Sequence, residues 1–106
     1  MEKTRVEFLH ECIRSNPGDT FARYALGLEL RNSNPEEAWA HFQYLLSHHP
    51  DYPATYYQAG MFLVGQGRAD EARQVLLKGI DVTKSQGNTH AQNELQTALD
   101  ELGSAS

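Results

Sequence analysis

Leu26-Gly27 returns 33 residues later as Ala59-Gly60, and Glu37-Ala38 returns 34 residues later as Glu71-Ala72. At the same shift of 34, Phe42 falls on Leu76 and Leu45 on Gly79. A period of this size signals stacked supersecondary units rather than a single globule. Because the shift grows by one between the two helices of a unit, the turn that begins at Asn32 is expected to be one residue shorter than the turn that begins at Gly65. Gly27 and Gly60 each cost a helix about 1 kcal/mol relative to Ala, which makes sense where a second helix crosses closely. Ala38 and Ala72 serve that approach from the other side.

Outward from these repeats, apolar residues recur three and four apart along most of the chain, the period of an α-helix. Turn signals at Ser15 to Gly18, Asn32 to Pro35, His49 to Pro53, Gly65 to Gly67 and Ser85 to Asn88 cut it into six helices. These are expected near residues 3–15, 19–32, 35–48, 53–66, 69–83 and 89–102. Asn34-Pro35-Glu36-Glu37 is the best-marked start, with an Asn cap, Pro at the first helical position and Glu37 able to reach back to the cap. No stretch alternates as a strand does.

At these positions the sequence resembles the tetratricopeptide repeat, whose pattern is W-x2-L-G-x2-Y, then A-x3-F, then P. The first unit reads Arg23-x2-Leu26-Gly27-x2-Leu30, Ala38-x3-Phe42 and Pro50; the second reads Tyr56-x2-Ala59-Gly60-x2-Leu63 and Ala72-x3-Leu76, with Lys84 in place of Pro. Leu9, Cys12 and Pro17 look like the tail of a preceding half-unit. The resemblance covers about residues 5–84. It implies an all-α fold, a short right-handed solenoid of antiparallel helix pairs. Its expected divisions are a half-repeat helix (1–18), a first repeat (19–52), a second (53–86), a capping helix (87–102) and a disordered tail (103–106), all in one domain.

Projected at about 100° per residue, the first helix of each unit shows two apolar arcs. Ala22, Leu26 and Leu30 form one; Phe21, Tyr24 and Leu28, with Arg31 beside them, form the other. Ala59 and Leu63 match the first arc, and Ala54, Tyr57, Met61 and Val64 the second. By the resemblance, the first arc packs within its hairpin and the second lines a concave groove for a peptide or partner helix. Phe21, Tyr24, Leu28, Arg31, Tyr57 and Met61 are therefore the candidate protein-binding residues. The alternative is that the last helix and neighbouring first helices cover them; a mixed outcome would leave Phe21 and Leu28 partly packed and Tyr24 and Tyr57 partly free. In the last helix, Ala91, Leu95, Ala98, Leu99 and Leu102 share one narrow arc, as befits a cap. In the first, Val6, Phe8, Leu9, Cys12 and Ile13 spread more widely. Either apolar surface stays open there, making Val6, Leu9 and Ile13 a possible oligomer interface, or the helix rotates to bury them.

The remaining chemistry is sparse. The 106 residues hold 9 Lys+Arg against 14 Asp+Glu, a formal charge of −5. Without a basic run, neither nucleic acid nor an anionic membrane is an expected partner. Residues 1–34 hold 5 basic and 5 acidic side chains and residues 35–106 hold 4 and 9, so the net charge lies in the later part, which favours an apolar or mildly basic partner segment. The lone Cys12 reads as a small buried hydrophobe, in a slot equivalent to Leu45 and Gly79. His48 and His49 point about 100° apart on a helix and suit its negative end better than a shared ion. His10 and His90 read as isolated surface or groove-rim residues. No catalytic motif, metal site, cofactor or small-molecule substrate is expected. Nor is a transmembrane segment, and Met1-Glu2-Lys3 opens no signal peptide, so the expected setting is the cytoplasm.

Overall fold

The computed structural model describes residues 3–104, and side chains through residue 103. Six helices run in order: α1 (Arg5–Ser15), α2 (Thr20–Leu30), α3 (Pro35–His48), α4 (Pro53–Gly65), α5 (Ala69–Ser85) and α6 (Thr89–Ser104). Helix starts follow the capping chemistry. Thr4, Asp19 and Asn34 accept the backbone N–H of Glu7, Ala22 and Glu37 at the starts of α1, α2 and α3, and Asn88 accepts that of Ala91 at the start of α6. The first two helices begin one or two residues later than expected because Thr4 and Asp19 serve as caps rather than as helical residues. α6 extends through Gly103 into Ser104, so the expected disordered tail begins too early; Ala105 and Ser106 lie outside the described residues.

Ends are set by glycine and proline. α3 stops at His48, two residues before Pro50. At the matching place in α5 stands Lys84, which has a backbone N–H, and the helix runs on to Ser85 before Gly87 turns it with φ +69°. Gly67, at φ +75°, ends α4 in the same way. The extra residue of the second repeat is thus taken up by this end of α4 and its left-handed glycine.

The chain divides into two compact units between His49 and Pro50. In the first, α2 and α3 form a hairpin and α1 packs on α2. Its core is Leu9, Ala22, Ala25, Leu26, Leu30, Ala38, Phe42 and Leu45. A Cβ on Gly27 would meet the Phe42 ring at 2.6 Å, so the glycine is what lets α2 and α3 touch. In the second unit, α4 and α5 form the hairpin and α6 packs on both. Tyr56, Ala59, Phe62, Leu63, Ala72, Leu76, Leu95 and Ala98 are buried there. A Cβ added at Gly60 would meet Leu76 at 2.6 Å, and one at Gly79 would meet the Cβ of Tyr56 at 2.6 Å and Leu95 at 3.0 Å. Each fully buried Leu or Phe contributes about 1.5–3 kcal/mol through area removed from water.

Three expectations need correction. Leu9, expected on an open face of α1, is buried, and Val6 and Ile13 on the same stripe are half-buried. Residues at positions 6, 9 and 13 share one helix face, and Leu9 at its centre is core. Phe8, on another face, is the residue α1 leaves open, at 57 % exposure. Cys12 is half-buried rather than enclosed, although Leu45 and Gly79 at the equivalent places are buried. His10 is not isolated: its Nε2 lies 2.6 Å from Glu37 Oε2 on α3.

Candidate protein-binding surface

Phe21, Tyr24, Leu28 and Arg31 are spaced three, four and three apart and so share one face of α2, the last of them at its C-cap. Phe21 is 65 % exposed, Tyr24 and Leu28 are half-buried, and Arg31 is exposed. Phe21 was expected to be partly packed. It stands in the first turn of α2, where side chains lean toward and past the helix start and no preceding turn of the helix covers them. Tyr24 engages neighbours as well as facing outward.

On α4 the comparable face carries Ala54, Tyr57, Met61 and Val64. Met61 and Val64 are exposed, at 36 % each, and Tyr57 is half-buried. Tyr57 lines a hollow of about 310 Å³ together with Tyr52, Pro53 and Ala54 on one side and Ala91, Glu94 and Leu95 of α6 on the other. The lining is mostly apolar, and Glu94 is its one charged residue. Sequence reasoning placed Ala91 and Leu95 on the inward arc of a cap. It had no way to show that α6, lying against both α4 and α5, would leave a depression beside Tyr57.

Arg23, where the repeat pattern has Trp, is fixed rather than free. Its Nε donates to the carbonyl of Pro17 at 2.8 Å, and its guanidinium carbon sits 3.6 Å from the centroid of the Tyr44 ring. The ring of His48 stacks on Tyr44 with centroids 4.0 Å apart while its Nδ1–H donates to the Tyr44 carbonyl at 3.0 Å, so His48 ties off the end of α3. His90 pairs with Glu94 at 3.2 Å on an exposed stretch of α6. Among the described residues no helix is long and apolar enough to cross a membrane.

Comparison with known proteins agrees with this geometry. The family model for the tetratricopeptide repeat matches residues 29–99. A tetratricopeptide repeat domain protein from Salinibacter ruber, solved in solution, is 35 % identical, with a TM-score of 0.80 over 86 % of this chain and 93 % of that one. A crystal structure of a tetratricopeptide repeat domain protein from Salinibacter ruber is likewise 35 % identical and superposes with a TM-score of 0.75, covering 83 % of this chain and 100 % of that one. A protein from Bordetella parapertussis, 25 % identical, gives a TM-score of 0.82 over 98 % of this chain and 91 % of its own. None of the curated proteins matches. With two hairpins, each closed over a glycine, and a family match across most of the described helices, the chain belongs to the tetratricopeptide-repeat family.

Proposed function

We propose that the protein is a non-catalytic binding module, an adaptor or scaffold whose units each offer a peptide or partner helix an apolar helix face, that of α2 in the first and that of α4 in the second. Tetratricopeptide-repeat domains generally mediate protein–protein interaction, and the observation that carries the reading here is the unspent apolar surface on those helices. Phe21, Met61 and Val64 are exposed, and Tyr57 borders a hollow with room for an apolar side chain. Tyr24 and Tyr57 offer broad contact area at low entropic loss, Met61 adapts to an irregular partner, and Arg31 at the end of α2 orients it. The acidic later part of the chain favours an apolar or mildly basic segment, and the setting proposed is the cytoplasm. One buried aromatic anchor contributes about 2 kcal/mol by hot-spot precedent. Tyr24→Ala with Tyr57→Ala is therefore expected to abolish capture of the native partner from cell extract while circular dichroism stays helical. Loss of helicity in that double variant would make the two tyrosines core and end the proposal.

A second reading, self-association through α1, is favoured by the exposure of Phe8. In it Val6 and Ile13 flank the contact, whereas Leu9 is occupied within the unit. Sedimentation of Phe8→Lys distinguishes the two: a monomer–dimer equilibrium lost in that variant supports it, and a wild-type protein monomeric at high concentration removes it.

A further inference from the structure

The geometry points to a zinc-class metal site in the first unit, built by His10 of α1 with Glu37 and His41 of α3. Among the described residues these are the three whose ligand atoms converge, all within 4.8 Å of one another. Glu37 Oε2 is the hub: His10 Nε2 lies 2.6 Å from it and His41 Nε2 3.0 Å. Glu37 and His41 stand four apart on one helix, which places both side chains on the same face, and His10 arrives from α1. Two imidazoles and a carboxylate form a donor set that suits Zn²⁺ or Co²⁺ and leaves a fourth position for water. The site is open enough for that water, since the His10 and Glu37 side chains are 36 % and 33 % exposed while His41 is only 10 % exposed.

Metal–ligand distances of about 2.0–2.1 Å in a tetrahedron put neighbouring ligand atoms about 3.3 Å apart. From 2.6 and 3.0 Å the two carboxylate–imidazole pairs widen to that separation, and the two imidazole nitrogens, within 4.8 Å of one another, adjust to it, as the ion takes the place of the two bridging protons. Asn34 at the cap steadies the carboxylate, with its Nδ2 3.5 Å from Glu37 Oε1. One neighbour opposes the ion. Arg23 Nη1 lies 3.5 Å from His41 Nδ1, the nitrogen that must carry the proton once Nε2 binds metal. A ligating histidine is normally held by an acceptor at that nitrogen, so the guanidinium weakens the site without closing it.

The test is calorimetric titration of Zn²⁺ into protein prepared without a histidine tag, with Co²⁺ absorption spectra to report tetrahedral binding. One ion per chain is expected. His10→Ala and His10→Gln, at a half-exposed position that spares the core, are each expected to weaken binding by more than about tenfold. Glu37→Gln is expected to do the same, with helicity retained, while the His48→Ala/His49→Ala double variant binds as wild type does. Arg23→Gln, which replaces the opposing donor by a group able to accept from Nδ1, is expected to tighten binding by roughly tenfold. Wild-type protein that takes up no ion overturns the site. So does binding that survives His10→Ala, binding that is lost with His48 and His49, or binding unchanged or weaker in Arg23→Gln.

Discussion

Arg23 and Tyr56 occupy the same place in successive repeats, and each reaches back six residues to a proline carbonyl: Arg23 Nε to Pro17, the Tyr56 hydroxyl to Pro50. The loop entering each hairpin is thus tied to the hairpin by one side-chain hydrogen bond, made with a guanidinium in one repeat and a phenol in the other. What differs is how the rest of the side chain is accommodated. Arg23 lies across the face of Tyr44, and the buried position further along α3 is filled by Leu45. Tyr56 turns its ring inward and is 2 % exposed, and the position equivalent to Leu45 is Gly79, against the Tyr56 Cβ. The repeat therefore conserves a volume and a tether rather than a residue: an inward ring demands a glycine opposite, and a side chain laid outward permits a leucine.

The sharpest way to break this pairing is Gly79→Ala. The new methyl would stand 2.6 Å from the Tyr56 Cβ, an atom that moves only with its backbone. Overpacking costs about 1–3 kcal/mol, partly offset by about 1 kcal/mol of regained helix propensity, so a net loss of about 2 kcal/mol is expected in urea unfolding. Gly27→Ala meets the Phe42 ring, stiff and fully buried, and is expected to cost about 1 kcal/mol on the same reckoning. Gly60→Ala meets Cδ2 and Cγ of the buried Leu76, a branched side chain that can change rotamer where a ring cannot, and is expected to cost less than Gly27→Ala. Equal losses at all three glycines would mean that backbone conformation, not the facing side chain, selects them.

Most of this architecture is legible in the residues. The recurrence of Leu26-Gly27 as Ala59-Gly60 locates the hairpins, and the prolines at 35, 50 and 53 mark the start and end of α3 and the start of α4 to within two residues. Lys84 stands where the pattern has Pro, and α5 runs two residues past its expected end. The candidate surface is less legible. A projection at constant angle shows which residues share a direction but not whether a neighbour stands in it, and for that reason Leu9, a candidate for the open face of α1, is core while Phe8 is the apolar residue left exposed. His10 and Glu37 lie 27 residues apart on different helices, a meeting decided by packing that no local pattern encodes. Its visible half was Glu37 and His41, four apart.

The Tyr56 tether sharpens the comparison by titration. Burial pushes the Tyr56 phenol above its ordinary range, and Asp51 adds to the effect. The neutral ring is what the fold accommodates, so its contribution is complete below the free tyrosine pKa of about 10 and is lost as pH climbs through that value toward the raised one. Tyr56→Phe removes one hydrogen bond and is expected to cost about 1 kcal/mol near neutrality. Above about pH 10 the deficit is expected to shrink, because the variant has no phenol to ionise. The Arg23 tether contains no phenol, so Arg23→Gln is expected to show a deficit that stays constant over that range. A Tyr56→Phe deficit that also stays constant would mean the hydroxyl reaches solvent.

The smallest expected effect concerns the acid limb, where Glu37 and Glu71 occupy equivalent third positions of α3 and α5. Glu37 is held below the usual carboxylate range chiefly by the hydrogen bond from His10, helped by His41 and opposed by burial. Glu71 is lowered chiefly by Arg68, which grips it with two hydrogen bonds at 2.6 and 2.8 Å on an exposed surface. Both carboxylates therefore stabilise the fold above the ordinary carboxylate pKa and lose that contribution as pH falls through their lowered values. Only Glu37 joins two helices across a partly desolvated contact, while Glu71 bonds within one turn, where solvent screens the pair. Glu37→Gln is expected to lower stability by about 0.5–1 kcal/mol at pH 7, the difference from wild type closing as the buffer is taken below about pH 4. Glu71→Gln is expected to leave the unfolding midpoint where it is at both pH values. Should the two variants behave alike, the histidines contribute nothing across α1 and α3, and α1 is docked by the Leu9 stripe and the Arg5–Glu29 ion pair to α2.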